Sequence, residues 1–170
     1  MLIGQKMNKA INEQIGREFG ASLQYIAIAA HFDAQNLPQL ARYFYRQAQE
    51  EHEHAMRFLK YVLEAGGTVA IPDVDGPKHD FGSAEEAVKL SLRWEEDVTK
   101  QVHALMDLAG KENDYTAQNM LQWFVSEQLE EVSSMERLLS IVRRAGEGGL
   151  LFVEDYLARE GHPEDKGGDD

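Results

Sequence analysis

A chain of 170 residues without a cysteine is long enough for one real core and cannot build disulfides, thiolate zinc sites or Cys-ligated iron–sulfur clusters. Its net charge of −13 opposes binding driven by nucleic-acid phosphates and favours cations as partners. No apolar run approaches the roughly 20 residues that span a bilayer, and the opening MLIGQKMNKAINEQIGREFG lacks an apolar signal core. The expectation is a cytoplasmic protein with neither membrane nor nucleic acid as a partner.

The first predicted helix runs from about Gln5 to Ala34. Its apolar positions Met7, Ile11, Ile15, Phe19, Leu23 and Ile26 recur at helical spacing, and Gly16 and Gly20 are tolerable within it. Asn36-Leu37-Pro38 breaks it, and Pro38 suits the first position of a second helix reaching about Ala65. Residues 66–82, GGTVAIPDVDGPKHDFG, read as a long ordered connection. Ser83 and Glu86 form a capping box that opens a third helix to about Lys111. Asn113-Asp114 makes a turn, and a fourth helix spans Tyr115 to Ala145. Gly146, Gly148 and Gly149 end it, a short fifth helix covers Leu150 to Glu160, and residues 161–170 are expected to be a disordered acidic tail. Short, long and short connections between four helices, each roughly 40 Å long, define one all-α domain over 1–160, a bundle with one long crossover.

Steps of seven along each helix trace its core rows, and one residue in each row does not belong. The rows are Ile11, Glu18, Tyr25, Phe32 on the first helix and Phe44, Glu51, Phe58 with Gln47, His54, Tyr61 on the second. The third gives Val88, Glu95, Val102, Ala109, which makes Glu95 the inward member of the pair Glu95-Glu96. The fourth gives Leu121, Gln128, Met135, Val142 beside Phe124, Glu131, Leu138. A carboxylate in a core row costs several kcal/mol unless something pairs with it. Glu51 and His54 lie one turn apart on one face, which is metal-ligand spacing. Oxygen and imidazole donors suit iron or manganese, and acids from four helices meeting at one level make an iron site in a bundle.

Taken singly, each misfit is the ordinary snorkelling or solvated side chain, and EHEHA reads equally as the exposed face of a charged helix. The set of six at matching heights is what argues for a site. Tyr25 lies two turns from Glu18 and is either a core tyrosine that needs a hydroxyl partner or an electron donor beside the metal. His31, His52, His79 and His103 are assigned to structure or surface, and Trp94 and Trp123 to packing.

QEEHEHAMRF, LQWFVSEQLEEV and NEQIGREFGASLQYIAIA together resemble the ferritins, specifically the haem-free bacterial ones, over about residues 1–160. The resemblance implies a ferritin-like four-helix bundle and a di-iron ferroxidase centre. In it Glu18 and His54 bind the first iron, Glu51 bridges, Glu95 binds the second and Gln128 lies near it. It further implies a third iron position at Glu50, Glu127, Glu130 and Glu131, a catalytic tyrosine at Tyr25, and a hollow homo-oligomer of twenty-four subunits that oxidises Fe(II) with O2 or H2O2 and stores the ferric product.

The departures are specific. Symmetric di-iron carboxylate proteins carry a second E-x-x-H on the fourth helix, where this chain has Gln128 and Glu131. The position of the bacterioferritin haem-ligating Met is His52, so haem is not expected. Acids that line iron channels in animal heavy-type chains are replaced by Gln118 and Leu121. The rival readings are a rubrerythrin-like or other di-iron oxidase or peroxidase, and a purely structural or DNA-protecting cage. The missing second E-x-x-H and Cys-rich domain weigh against the first; the acidic tail weighs against a DNA-protecting cage.

Overall fold

In the computed structural model, which describes residues 2–160, α1 (Gln5–Ala34), α2 (Pro38–Glu64), α3 (Ala84–Lys111) and α4 (Tyr115–Ala145) form the bundle. A 3-10 turn (Glu147–Gly149) leads into α5 (Leu150–Glu160), which lies against α2 and α4. The expected tail, 161–170, lies outside the described residues. Each boundary has a local cause. Pro38 opens α2 where its missing N–H costs nothing. Ser83 and Asp114 cap α3 and α4 by accepting from the N–H of Glu86 and of Ala117. The capping box differs from expectation at its return bond: the Glu86 carboxylate accepts from the N–H of Gly82, not of Ser83, and pairs with Lys78. The α2 terminus turns through Gly66 at φ 74°, a conformation in which a Cβ would be strained.

α1 packs chiefly on α2, and α3 on α4. The crossover is ordered because α1 holds it with side-chain amides. Asn8 and Asn12 both donate to the Thr68 carbonyl, at 3.1 and 2.9 Å, and accept in turn from the N–H of Thr68 and of Ala70. Gln24 exchanges a pair of bonds with the Lys78 backbone at 2.8 and 3.0 Å. Gly16 is more than tolerable: a Cβ there would stand 2.5 Å from Pro72 Cγ, so the glycine lets the crossover lie flat on the helix.

The row pattern holds at every step-seven position named above, all of them buried. One expectation on apolar residues does not hold. Leu23 and Ile26 are exposed on α1, because the inward stripe turns through Ser22, Tyr25 and Ala29 instead. On α5, Leu150 is buried with Val153 and Leu157, and Tyr156 packs partly against the same cluster, while Leu151 and Phe152 stand outward at 75% and 77% exposure. The hydrophobic interior is divided. One cluster runs from Tyr25 through Phe32, Phe44 and Met135 to α5, and the other from Ile3 through Ile15, Phe58 and Val98 to Phe124. Between them lies a belt of buried polar side chains contributed by all four long helices.

Candidate metal centre

The belt is Glu18, Glu51, His54, Glu95, Gln128 and Glu131, each no more than 5% exposed. Three sets of these and neighbouring ligands present atoms within 4.8 Å of one another: Glu18, Glu51 and His54; Glu51, Glu95 and Glu131; His54, Glu127 and Glu131. Glu51 belongs to the first two sets, so it stands between them. Glu127 is partly exposed and lies 3.8 Å from His54 Nε2. Glu50 is half-buried and accepts from Gln47 Nε2 at 2.6 Å. Glu130 is exposed on α4 and joins none of the three sets. An open groove of about 830 Å³ between α2 and α4 reaches His54, with Glu50, Glu53 and Glu127 at that end.

Hydrogen bonding distinguishes the carboxylates. Both oxygens of Glu95 are engaged: the Tyr25 hydroxyl donates to Oε1, and Gln128 Nε2 donates to Oε2 at 3.1 Å. Gln128 Nε2 is also 3.2 Å from the Glu95 carbonyl and 3.3 Å from Thr99 Oγ1. Glu18 has Oε1 engaged by Gln14 Nε2 at 2.7 Å, and its Oε2 is buried with no partner. Glu51 has no hydrogen-bond partner at either oxygen; His54 Nδ1 stands 3.5 Å from Oε2, and the Glu18, Glu95 and Glu131 carboxylates converge on it. Buried acceptors without donors are costly, and a cation is the partner that satisfies several converging carboxylate oxygens and an imidazole at once.

The electrostatics have the same origin. Burial pushes the Glu51 carboxyl well above its ordinary 4.5, and the neighbouring charges of Glu95 and Glu18 push it further. Burial does the same to Glu131, reinforced by Glu95 and Glu51. Glu95 is raised by burial, while its bonds from Tyr25 and Gln128 pull it back. The Tyr25 phenol is held protonated, raised well above 10 by burial and then by Glu95. Burial lowers His54, but the hydrogen bond to Glu127 and the charges of Glu18, Glu131 and Glu127 outweigh it and bring the imidazolium to about 9. Acids that resist ionising and an imidazole that resists deprotonation are what crowded anionic ligands produce, and a cation reverses both effects.

Three supporting residues lie outside the predicted set. Gln14 would have been found by the same stepping rule, since it interrupts the row Met7, Gln14, Ala21, Ile28. Thr99 and Gln101 interrupt rows as well, Leu92, Thr99, Met106 and Ala87, Trp94, Gln101, Leu108, but these rows are mostly half-buried and so a weaker signal. Trp123 does more than pack: its ring meets His54 edge-on at 5.5 Å, and Arg57 lies 3.9 Å over its face.

Fold and site define a class: a helical-bundle protein whose core brings together carboxylates and an imidazole that could hold a metal. The ferritin-like domain family matches residues 8–145. The chain belongs to the ferritin family, an iron-storage family. It is 44% identical to Ferritin BfrB of Mycolicibacterium smegmatis over 155 residues, covering 91% of this chain and 85% of that protein. It is 32% identical to the bacterial non-heme ferritin of Staphylococcus aureus, with 93% and 97% covered. Among solved structures, the open-pore ferritin of the archaeon Archaeoglobus fulgidus superposes with a TM-score of 0.88 at 35% identity, covering 91% of this chain and 97% of that one.

Proposed function

We propose that this protein is a cytoplasmic ferroxidase that takes Fe(II) as substrate at the buried belt and stores the ferric product inside a homo-oligomeric shell of twenty-four subunits. Glu18 and His54 hold the first Fe(II), Glu51 bridges, and Glu95 holds the second with Gln128 and Glu131 beside it. Glu50 and Glu127 on the groove side, with the buried Glu131 and the exposed Glu130, supply a third position. The observation that carries the reading is the pair of bare, buried Glu51 oxygens shared between two ligand sets. A carboxylate with both oxygens free can join two ions, and two Fe(II) held by one bridge can pass two electrons to one O2 or H2O2 molecule. Anionic oxygen ligands stabilise Fe(III) more than Fe(II), which favours the oxidation. Tyr25, bonded to Glu95, stands where it can supply a further electron.

No haem is part of the reading: the relevant position, His52, is exposed on α2 against Phe19. Assembly is supported by large apolar side chains turned outward, Leu129, Leu151 and Phe152, each at least 74% exposed. The test is aerobic and peroxide-driven Fe(II) loading, followed by electron microscopy and iron analysis. Iron-dense shells are expected. A monomer or dimer that consumes peroxide and retains no iron would replace this reading with a di-iron peroxidase.

A further inference from the structure

Gln14 is fully buried one turn before Glu18 on the same face of α1. Its amide has an assigned direction. The Oε1 atom accepts from Arg17 Nη1 at 3.3 Å, and a guanidinium is a donor only. The NH2 group therefore faces inward, where it donates to Glu18 Oε1 at 2.7 Å and to Gln101 Oε1 at 3.2 Å. Both amide hydrogens are spoken for, one by α1 itself and one by α3, so the group cannot turn to another partner. The bond from Arg17 polarises the amide and strengthens its donation on the other side.

The consequence falls on Glu18. One of its oxygens is tied and the other, Oε2, is buried and bare. Glu51, one helix away in the same set of ligands, has no such tie and keeps both oxygens free. Resting on the iron-centre reading above, we propose that Gln14 is the positioning residue that makes Glu18 a one-oxygen ligand of the first ion. Arg17 and Gln101 hold Gln14 in turn. A Glu18 already fixed in direction meets the first ion without reordering, while Glu51 stays free to span two ions.

Anaerobic Co(II) titration, followed by visible absorption, reads the first site without oxidation chemistry, and infrared difference spectra read carboxylate ligation. The Glu18 bands are those lost in Glu18→Ala. Gln14→Leu keeps the volume and removes the donors. The first-ion dissociation constant is expected to rise about 10- to 100-fold, the usual cost of losing a hydrogen-bonding partner of a ligand. The separation between the antisymmetric and symmetric Glu18 stretches is expected to narrow as the freed oxygen swings onto the ion. Arg17→Gln and Gln101→Leu should show smaller changes in the same direction, and they decide the matter if Gln14→Leu does not fold. Unchanged affinity and unchanged Glu18 bands overturn the proposal and leave Gln14 as packing. If Glu18→Ala itself binds Co(II) like the parent, the iron-centre reading has failed, and Gln14's role fails with it.

Discussion

Replacing Glu51 with Gln should stabilise the protein stripped of metal while abolishing rapid Fe(II) oxidation, and the size of the gain should depend on pH. Glu51 is 1% exposed, neither oxygen has a hydrogen-bond partner, and its carboxyl is pushed well above 4.5 by burial, Glu95 and Glu18. The folded state thus binds a proton that the unfolded chain releases near pH 4.5. Stability from this group is complete below that pH and is lost as pH rises toward the raised folded value, at up to about 1.4 kcal/mol per pH unit. Gln has the same shape and does not titrate. The advantage of Glu51→Gln should therefore be near zero at pH 4.5 and grow toward a ceiling of about 3 kcal/mol at pH 7. For a chain of this length each kcal/mol moves the midpoint by about 2–4 °C. The assay is calorimetry of chelator-treated parent and variant from pH 5 to 8, with stopped-flow Fe(II) oxidation on the same samples. A gain that does not grow with pH would show that Glu51 is not a crowded, uncompensated acid. Normal oxidation by the variant would show that it is not a ligand.

Three further outcomes follow from the same geometry. With its imidazolium at about 9, His54 contributes stability below pH 6.5 that is lost as pH rises through 9, and at pH 7 an incoming ion must displace its proton; a pH-stat should record about one proton fewer released per subunit on anaerobic Fe(II) binding to His54→Ala than to the parent. Tyr25→Phe leaves Glu95 Oε1 without its donor and should destabilise the fold by about 1–3 kcal/mol, read as a lower denaturant midpoint at unchanged slope. Gly16→Ala drives a Cβ into Pro72 and should cost about 1–3 kcal/mol, with faster proteolytic nicking of residues 66–82 than in the parent.

Most of the fold was legible because its signals are local. Pro38, Ser83, Asp114 and the glycines after Ala65 and Ala145 place the helix ends, and seven-residue stepping finds the core rows and the acids within them. Seven-residue rows coincide with buried residues, whereas apolar character alone places Leu23 and Ile26 on the inward stripe of α1 when both are exposed. The inward face of the fifth helix was not legible, for a related reason. Eleven residues give too little periodicity to say which of Leu150, Leu151 and Phe152 faces in, and packing on α2 and α4 decides it. Hydrogen-bond direction was not legible at all. Gln128 presents its amide nitrogen to Glu95 only because α4 sets it beside that carboxylate and Thr99 of α3. Gln14 takes the equivalent part at Glu18 because α3 brings Gln101 to it.

Those directions give the centre its asymmetry. Residue identity alone already separates the halves, since Gln128 and Glu131 stand where a symmetric site would carry E-x-x-H. The hydrogen bonds add a reason that identity does not contain. On the Glu18–His54 side an ion finds Glu18 Oε2 and both Glu51 oxygens bare and already buried. On the other side both Glu95 oxygens already accept, from Tyr25 and Gln128, so an ion there must share or displace a donor. Neutral hydrogen bonds are each worth about 1 kcal/mol net, more when one partner is charged. That difference is enough to order the two positions by an affinity ratio of about tenfold or more. On the proposed reading, the first ion meets three oxygens that lack any other partner, Glu18 Oε2 and the two of Glu51, and the second meets Glu95 oxygens whose donors can return to them. An ion that competes with returning donors leaves more easily, and a ferric ion that leaves the second position frees it for the next Fe(II).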